Sequence, residues 1–596
     1  MPGKSYYFWK DSFRREALWF RPLIAVLFGI FFLRLAQLQL VRGAEYHRLA
    51  ESNRLQRFSI PAPRGRIFDR NGEKLAGTRP SYSLYISPEG LESGQIREIA
   101  DKIEELTGRK AEKILSRFYS PRRLPFGVAV LASHLTLDEI LILEENFHYL
   151  PRVFIDVDPV RDYPYADVFS HITGYTGQIS PEELERLRKF GYRHRDRIGK
   201  SGAEMVFDSL LRGRDGYREV EVGASGRHRR EMRTVEPVPG DDILLSIDRD
   251  LQLAAAEAME GKTGTVLAMD PSTGEILLWI SSPGFDPGTF TVPRSSLEYL
   301  ELFEDPRHPL FNRPIQGQYP PGSVFKLVTA AAALETGVPS SREYKCEGEI
   351  TVGHDRRVFR CWRDSRHGKI DIKEALADSC NVYFYLLGLE LGPGIINTAA
   401  REMGFGKRGQ DIFPGEKTGI LPDPGWKRAH IGGGWNPGDS VNMSVGQGFI
   451  LSTPFQVLRM TSMIASGGIF MRPSMLKLVV NPDGKLSESH TPTIEGSSGI
   501  SPGTLDVLRR GMEMSVESGT ARFLYSPVSA GAKTGTAQNP LGDDHAWFAT
   551  YAPADKPEIA IVVMVEHGGY GAVAALPVAR RILMEKFGDR IHAKAD

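Results

Sequence analysis

Residues 264–281 read Gly264-Thr-Val-Leu-Ala-Met-Asp270, Pro271-Ser-Thr-Gly274 and Glu275-Ile-Leu-Leu-Trp-Ile-Ser281. Two strand-like runs flank four turn-forming residues, so the stretch reads as a β-hairpin. Near the other end of the chain, Glu558-Ile-Ala-Ile-Val-Val-Met-Val565 is another strong strand, and Val573 to Phe587 reads as a terminal helix. Between them lie long helical stretches, Ser323–Glu335 and Ile372–Leu391. Strands at both ends of a helical middle predict an α+β domain, with an antiparallel sheet set against a helical part.

Upstream, Pro237-Val238-Pro239-Gly240 punctuates the chain and marks a boundary. We expect a first external domain over 42–240 and a second over 241–590. The first mixes short strands and helices, with amphipathic helical patterns near Ile96–Leu106 and Leu135–Glu145. Arg42 to Asn53 is polar and helix-like, and Pro61-Ala62-Pro63 breaks it. Leu18 to Val41 has membrane character: its uncharged stretch Leu23–Leu33, with its flanks, approaches the ~20 residues needed to span a bilayer. Lys4, Lys10, Arg14 and Arg15 precede it against Asp11 and Glu16, so residues 1–17 should stay cytoplasmic and the rest lie outside. The exit Leu38-Gln39-Leu40-Val41-Arg42 lacks the small residues of a cleavage site, which leaves an uncleaved single-pass anchor. Arg34 sits deep in the segment and needs a partner or an outward reach.

Composition limits the function. Lys+Arg and Asp+Glu are both 74 among 596 residues, so no basic excess invites nucleic acid. Hydrophobic content of 41% and charged content of 25% exclude disorder over most of the chain. Three cysteines are too few for a disulfide scaffold.

Three motifs in the second domain carry chemistry. Ser323-Val-Phe-Lys326 is an S-x-x-K preceded by Pro320-Pro321-Gly322 and followed by an apolar, Ala-rich run. This sets Ser323 at a helix N-terminus, where free N–H groups favour developing negative charge. Lys326 could be its base only if burial and neighbouring cations depress its pKa. Ser379-Cys380-Asn381 is an S-x-N between helical stretches; its hydroxyl could relay a proton and its amide could hold lysine and substrate. Lys533-Thr534-Gly535-Thr536 suits an edge strand lining a cleft. There Gly535 would let a ligand backbone approach, Thr534 and Thr536 would bind a carboxylate, and Lys533 would supply positive charge. Each motif alone is weak. In this order, with gaps of 56 (323 to 379) and 154 residues (379 to 533), they point to one acyl-transfer site.

The segment Tyr319-Pro-Pro-Gly-Ser-Val-Phe-Lys326 resembles the active-site segment of class B penicillin-binding proteins. So do Arg64-Gly-Arg-Ile-Phe-Asp-Arg-Asn-Gly72 and Leu211-Arg-Gly-Arg-Asp-Gly216. Met403-Gly-Phe-Gly406, Pro414-Gly-Glu-Lys-Thr-Gly419, Val441-Asn-Met-Ser-Val-Gly-Gln-Gly448 and Ala546-Trp-Phe548 are similar to the penicillin-binding protein 2, or elongation, branch. The resemblance runs from the anchor to the terminal helix. It implies a non-catalytic, dimerisation-type pedestal over 42–240 and a penicillin-binding transpeptidase domain. It implies a D,D-transpeptidase that cross-links peptidoglycan stem peptides ending in D-Ala-D-Ala and is acylated by β-lactams. Ser323 would be the nucleophile, Lys326 the base, Ser379 the relay and Asn381 a positioning group. Lys533, Thr534 and Thr536 would hold the substrate carboxylate, and the N–H groups of Ser323 and Thr536 would form the oxyanion hole. The expected partners are a RodA-type glycan polymerase and other elongation-complex proteins in the inner membrane. Arg34 and the first external domain are candidates for that contact.

Two other functions share the serine motif. A β-lactamase is usually one soluble domain of about half this length. A β-lactam-sensing receptor would carry several spans and a cytoplasmic signalling domain, whereas only 17 residues precede this anchor.

The cysteines suggest a metal. Cys346, Cys361 and Cys380 fall within 35 residues (346 to 380), and His367 lies among them. The order Cys-x14-Cys-x5-His-x12-Cys supplies a Cys₃His set suited to one structural zinc ion. The competing reading is one disulfide plus a free thiol. His354, Asp355 and Asp364 are rival ligands. The resemblance supports zinc, because some relatives in the branch carry such a site beside the S-x-N motif.

Overall fold

A computed structural model of the chain describes residues 6–42, 55–87, 91–119, 128–194, 196–222, 228–291, 296–363, 366–409, 412–540, 542–588 and 590. The chain folds as two compact units, each assembled from separated stretches. The smaller comprises Met1–Ala62, Ser81–Asp158 and Arg214–Val238; the larger comprises Pro63–Pro80, Pro159–Gly213 and Pro239–Asp596. A cut at residue 240 therefore does not follow the packing. Residues 63–80 and 159–213 belong with the C-terminal part because their partners are there. The strand Ile67–Phe68 pairs in parallel with Asp242–Leu245, which pairs in turn with Leu476–Val480.

In the smaller unit, helix α1 spans Tyr6–Ala36 and continues as a π turn over Gln37–Val41. Its window Pro22–Val41 has no buried residue and is long and apolar enough to cross a membrane. The helix begins well before the apolar segment, so the expected tail is helical from Tyr6; Lys4 lies outside the described residues. Arg34 finds a local partner, donating from Nη1 to Gln37 Oε1 at 2.5 Å. The expected helix over Arg42–Asn53 lies, from residue 43 on, outside the described residues. The two amphipathic patterns are helices Ser93–Thr107 and Leu137–Glu145. Thr136 and Glu139 close a capping box that starts the second. Ile99, Ile103 and Leu143 pack with Leu84 and Ile86 in one core.

The larger unit holds α2 (Arg249–Ala258), β1 (Gly264–Met269), β2 (Ile276–Ser282), α3 (Lys326–Glu335), α4 (Ile372–Ala377), α5 (Asn381–Glu402), α6 (Pro454–Ala465), α7 (Pro502–Glu517), β3 (Gly531–Ala537), β4 (His545–Ala552), β5 (Ile559–Val565) and α8 (Leu576–Phe587). The predicted hairpin is present, with Gly264 opposite Ser282. The five strands form an antiparallel sheet in the order β2-β1-β5-β4-β3. Side chains alternate across it. Val266, Phe548, Ile561 and Val563 face α2 and α8, where Leu251, Leu576 and Ile582 complete one core. Leu267, Trp279, Trp547 and Met564 face the helical part, with Leu327, Val328, Phe455 and Met460. Helix α3 is buried along nearly its whole length, from Lys326 to Ala333, as an Ala-rich helix apolar on all sides should be.

Candidate active site

The chain enters α3 through a 3₁₀ turn over Gly322–Phe325, so the α-helix proper begins at Lys326 rather than at Ser323. Gly322 makes the turn possible: its φ is +54° and its N–H donates to Gly446 O at 3.0 Å. Ser323 is left half-buried while Lys326 is wholly buried.

The helix expected over Ile372–Leu391 is interrupted. α4 ends at Ala377, α5 begins at Asn381, and Ser379 between them has φ +54°. A left-handed serine is strained, and such strain persists where the surroundings hold it. The end of α4 holds it locally, Ser379 N–H donating to Leu376 O at 3.3 Å and Cys380 N–H to Ala375 O at 3.0 Å, and Lys326 holds it from across the site. Its Nζ donates to Ser379 O at 2.8 Å, Ser379 Oγ at 3.2 Å and Asn381 Oδ1 at 2.6 Å. Burial pulls the Lys326 pKa down to about 8. A neutral amine is therefore accessible near physiological pH, which a base requires.

β3 is the free edge of the sheet, as its alternation of small and polar residues suggests. Lys533 is fully buried, with Nζ donating to Thr534 O at 3.1 Å. Burial, and next the charge of Lys326, push Lys533 well down, with Asp378 opposing. The S-x-x-K, S-x-N and K-T-G segments thus converge, and two cations share one corner of the fold. Gly535 has a packing reason that the sequence did not show. A Cβ there would stand 2.9 Å from Trp547 Cβ and 3.0 Å from Val324 Cγ2, so the glycine lets β3 close on the Ser323 turn. Thr534 Oγ1 donates to Thr520 Oγ1 at 2.8 Å, and Thr520 N–H donates to Ala377 O at 3.1 Å. Thr536 is half-buried, and its carbonyl accepts from Gln447 Nε2 at 3.2 Å. Thr520, Gln447 and Asp378 escaped the motif reading. The available signals were the Ser518-Gly519-Thr520 turn and the glycines on either side of Gln447, both at positive φ.

Beside Ser379 the three cysteines and His367 meet. Each offers one ligand atom, and all four atoms lie within 4.8 Å of one another. Donors about 2.3 Å from a common tetrahedral ion stand about 3.8 Å apart, so the set fits zinc. Cys346 pairs with Gly368 in a two-stranded ladder, and Cys361 N–H donates to Gly348 O at 2.7 Å. Cys361 Sγ is 3.6 Å from His367 Nδ1. His367 Nε2 is buried with no hydrogen-bond partner among the described residues. A hydrogen bond from Cys380 pulls the Cys361 thiol far down, and that thiolate pushes Cys380 up. All three thiols are free. Pairing any two would strand the third beside the imidazole. His354 and Asp355 are not in the group, and Asp364 lies outside the described residues.

A family model described as the penicillin binding protein transpeptidase domain matches residues 264–584. A second, the penicillin-binding protein dimerisation domain, matches residues 59–245. The chain is 32% identical to the peptidoglycan D,D-transpeptidase MrdA of Acinetobacter baumannii, over 95% of this chain and 86% of the relative. A solved complex of penicillin-binding protein 2 with MreC from Helicobacter pylori superposes with a TM-score of 0.78 at 28% identity, covering 90% of this chain and 99% of that one. A structure reported for the coordination of polymerization and crosslinking by a peptidoglycan synthase complex gives 0.70 at 31% identity, covering 96% and 98%. With both family models matched and the three motifs gathered at one sheet edge, the chain belongs to the class B penicillin-binding proteins, in the penicillin-binding protein 2 branch.

Proposed function

We propose that the protein is a serine-type D,D-transpeptidase that cross-links peptidoglycan stem peptides during cell elongation. The observation that carries this reading is the buried Lys326 amine, held by Ser379 and Asn381 one helical turn from Ser323. Neutral Lys326 takes the Ser323 proton as Oγ adds to the D-Ala-D-Ala carbonyl. The oxyanion forms on the N–H groups of Ser323 and Thr536, each worth roughly 3 kcal/mol if lost. The peptide C–N bond then breaks, Ser379 passes the proton to the departing D-Ala amine, and an acyl-enzyme remains. An amine from a second stem peptide attacks that ester, giving up its proton along the same route and freeing Ser323. Lys533 attracts the substrate carboxylate, with Thr534 and Thr536 on the same strand. Asn381 keeps Lys326 aimed.

β-Lactams present the same carbonyl and should stop at the acyl-enzyme. Intact mass after benzylpenicillin should therefore show one adduct on the wild type and none on Ser323→Ala. An adduct surviving that substitution removes Ser323 from its role.

The relative is named a peptidoglycan D,D-transpeptidase, and the solved neighbours include a complex with MreC and a peptidoglycan synthase complex. These names support substrate and setting. The resemblance to the elongation branch adds a RodA-type polymerase as the proposed partner of the membrane-bound protein. The basic residues before the apolar window favour a cytoplasmic N-terminus and a periplasmic catalytic domain.

One zinc ion on Cys346, Cys361, His367 and Cys380 would have a structural task. Cys380 is the middle residue of Ser379-Cys380-Asn381, so ligation would fix the strained backbone that presents Ser379 and Asn381. Elemental analysis of protein purified without added metal should give about one zinc per chain. No zinc and a disulfide in the peptide map would dispose of the site.

A further inference from the structure

One short loop, Gly446-Gln447-Gly448, touches both halves of the oxyanion hole. In an antiparallel ladder a residue pair exchanges both its hydrogen bonds, so the N–H and C=O of one residue point to the same side. Among the described residues β3 pairs with β4 alone, leaving its other side without a strand. Gln447 Nε2 donates to Thr536 O from that open side, at 3.2 Å. The Thr536 N–H therefore points to the open edge too. The Ser323 turn lies along that edge, because a Cβ on Gly322 would stand 2.6 Å from Thr536 O. The loop grips this turn as well. Gly446 O accepts from Gly322 N–H at 3.0 Å, and a Cβ on Gly446 would stand 2.3 Å from Gly322 O. The loop is itself pinned: Gly446 N–H donates to Met443 O and Gln447 N–H to Asn442 O, each at 2.9 Å.

We propose that Gln447 is a positioning residue for acyl transfer, a clamp that fixes the Thr536 N–H at its working distance from the Ser323 N–H. The inference rests on the proposed roles of Ser323 and Thr536. A primary amide takes no proton from serine at neutral pH, so Gln447 acts through the geometry of the two donors. Those donors meet full negative charge only as the carbonyl is attacked. Loss of the clamp should slow the acylation step and spare the initial encounter complex.

The test is stopped-flow acylation of the full-length, detergent-solubilised protein with benzylpenicillin, separating the encounter constant from the first-order acylation rate. A displacement of ~1 Å at a reacting group can cost about 100-fold, so Gln447→Ala should slow acylation by roughly 10- to 100-fold. Its encounter constant should stay within about twofold and its thermal midpoint should not move. Gln447→Glu keeps the shape but sets a carboxylate against the Thr536 carbonyl, and should be at least as slow. An unchanged acylation rate in both variants overturns the proposal. So does a fall in rate matched by the encounter constant and the thermal midpoint, which would make Gln447 merely structural. Ser323→Ala runs beside them: an adduct there defeats the underlying assignment of the nucleophile, whereas a normal rate in the Gln447 variants defeats the clamp alone.

Discussion

Two of the places where the larger unit buries charge treat it in opposite ways. Around Glu204, which is wholly buried, Arg64 Nε sits at 2.5 Å and Arg161 Nε at 2.6 Å, while Arg64 Nη1 reaches Asp208 at 2.7 Å. Burial pushes the Glu204 carboxyl up, but the two guanidinium groups outweigh it and hold it below the usual range. Around Lys326 the partners are a carbonyl, a hydroxyl and an amide, all uncharged, and the other nearby cation is Lys533. Burial there outweighs the attraction of the Cys380 and Cys361 sulfurs, and the lysine is pulled down to about 8. The first arrangement locks a junction between residues 63–80 and 159–213; the second leaves a proton loosely held beside a nucleophile. Here a carboxylate closely paired with two guanidinium groups makes structure, and a cation whose hydrogen-bond partners are neutral, and whose burial outweighs the pull of nearby sulfur, makes reactivity.

The largest effect that could break this contrast is kinetic. Lys326→Met keeps the length of the side chain and removes the amine. Acylation by benzylpenicillin should fall by about 10²–10⁴-fold, the usual contribution of a positioned acid–base group. In the wild type the acylation rate should climb with pH as Lys326 loses its proton, and level off above about 8. Stopped-flow rates across pH 5.5 to 9.5, a span of about four units around that value, read both points. An unchanged rate in Lys326→Met takes the base role away from it, and the contrast falls with it.

The fold was legible where signals are local. The hairpin at 264–282 and the strand at 559–565 follow from short apolar runs and turn residues, and the edge character of Gly531–Ala537 from its alternation of small and polar residues. The order of the three motifs was enough to bring Ser323, Lys326, Ser379 and Lys533 together. What could not be read depends on contacts distant in sequence. The break at 378–380 lies inside a helical pattern: Ser379 closes α4 as a left-handed C-terminal residue, with Cys380 N–H on Ala375 O, and Lys326, more than fifty positions away, then takes its carbonyl and hydroxyl. Gly535 looked like a ligand-facing gap, yet the atoms that exclude a side chain belong to Trp547 and Val324. Arg64 and Glu204 are 140 positions apart, so the interleaving of the two units left no mark in composition.

A smaller effect sharpens the other half of the comparison. Glu204→Ala leaves Arg161 and Arg64 facing each other without an anion between them. Removing one partner of a buried ion pair costs about 3–5 kcal/mol, and the urea midpoint should drop accordingly. Acylation of the protein that remains folded should keep its wild-type rate, because among the described residues the Glu204 carboxylate bonds to Arg64, Arg161 and Tyr163 and not to the Ser323 corner. The pH sense is fixed. A carboxyl held low in the fold stabilises above its unfolded pKa, near 4.5, and that gain is lost as pH falls through the folded value. The gap between wild type and Glu204→Gln should thus be full at pH 7 and shrink below about pH 4.5. A gap that widens in acid contradicts the lock.

The smallest effect belongs to Lys326 again, now as a matter of stability. Its folded pKa lies below its unfolded one, the reverse of a lysine that has gained an ion-pair partner. At pH 7 the ammonium is bound in both states and the fold carries its desolvation; stability should rise with pH between about 8 and 10.5, where only the unfolded chain still holds the proton. The lowering from 10.5 to about 8 corresponds to about 3 kcal/mol of strain at neutral pH. Lys326→Met relieves that cost but strands Ser379 O and Asn381 Oδ1, at about 1–3 kcal/mol for buried acceptors left unpaired. The two terms nearly cancel, so the urea midpoint of Lys326→Met at pH 7 should match wild type within about 1 kcal/mol. The pH-dependent rise above 8 should vanish in the variant, because the group that titrates there is gone. A variant that is 3–5 kcal/mol less stable, as expected for Glu204→Ala, would mean that Lys326 is held as a structural charge like Glu204, and the two regions would no longer differ in kind.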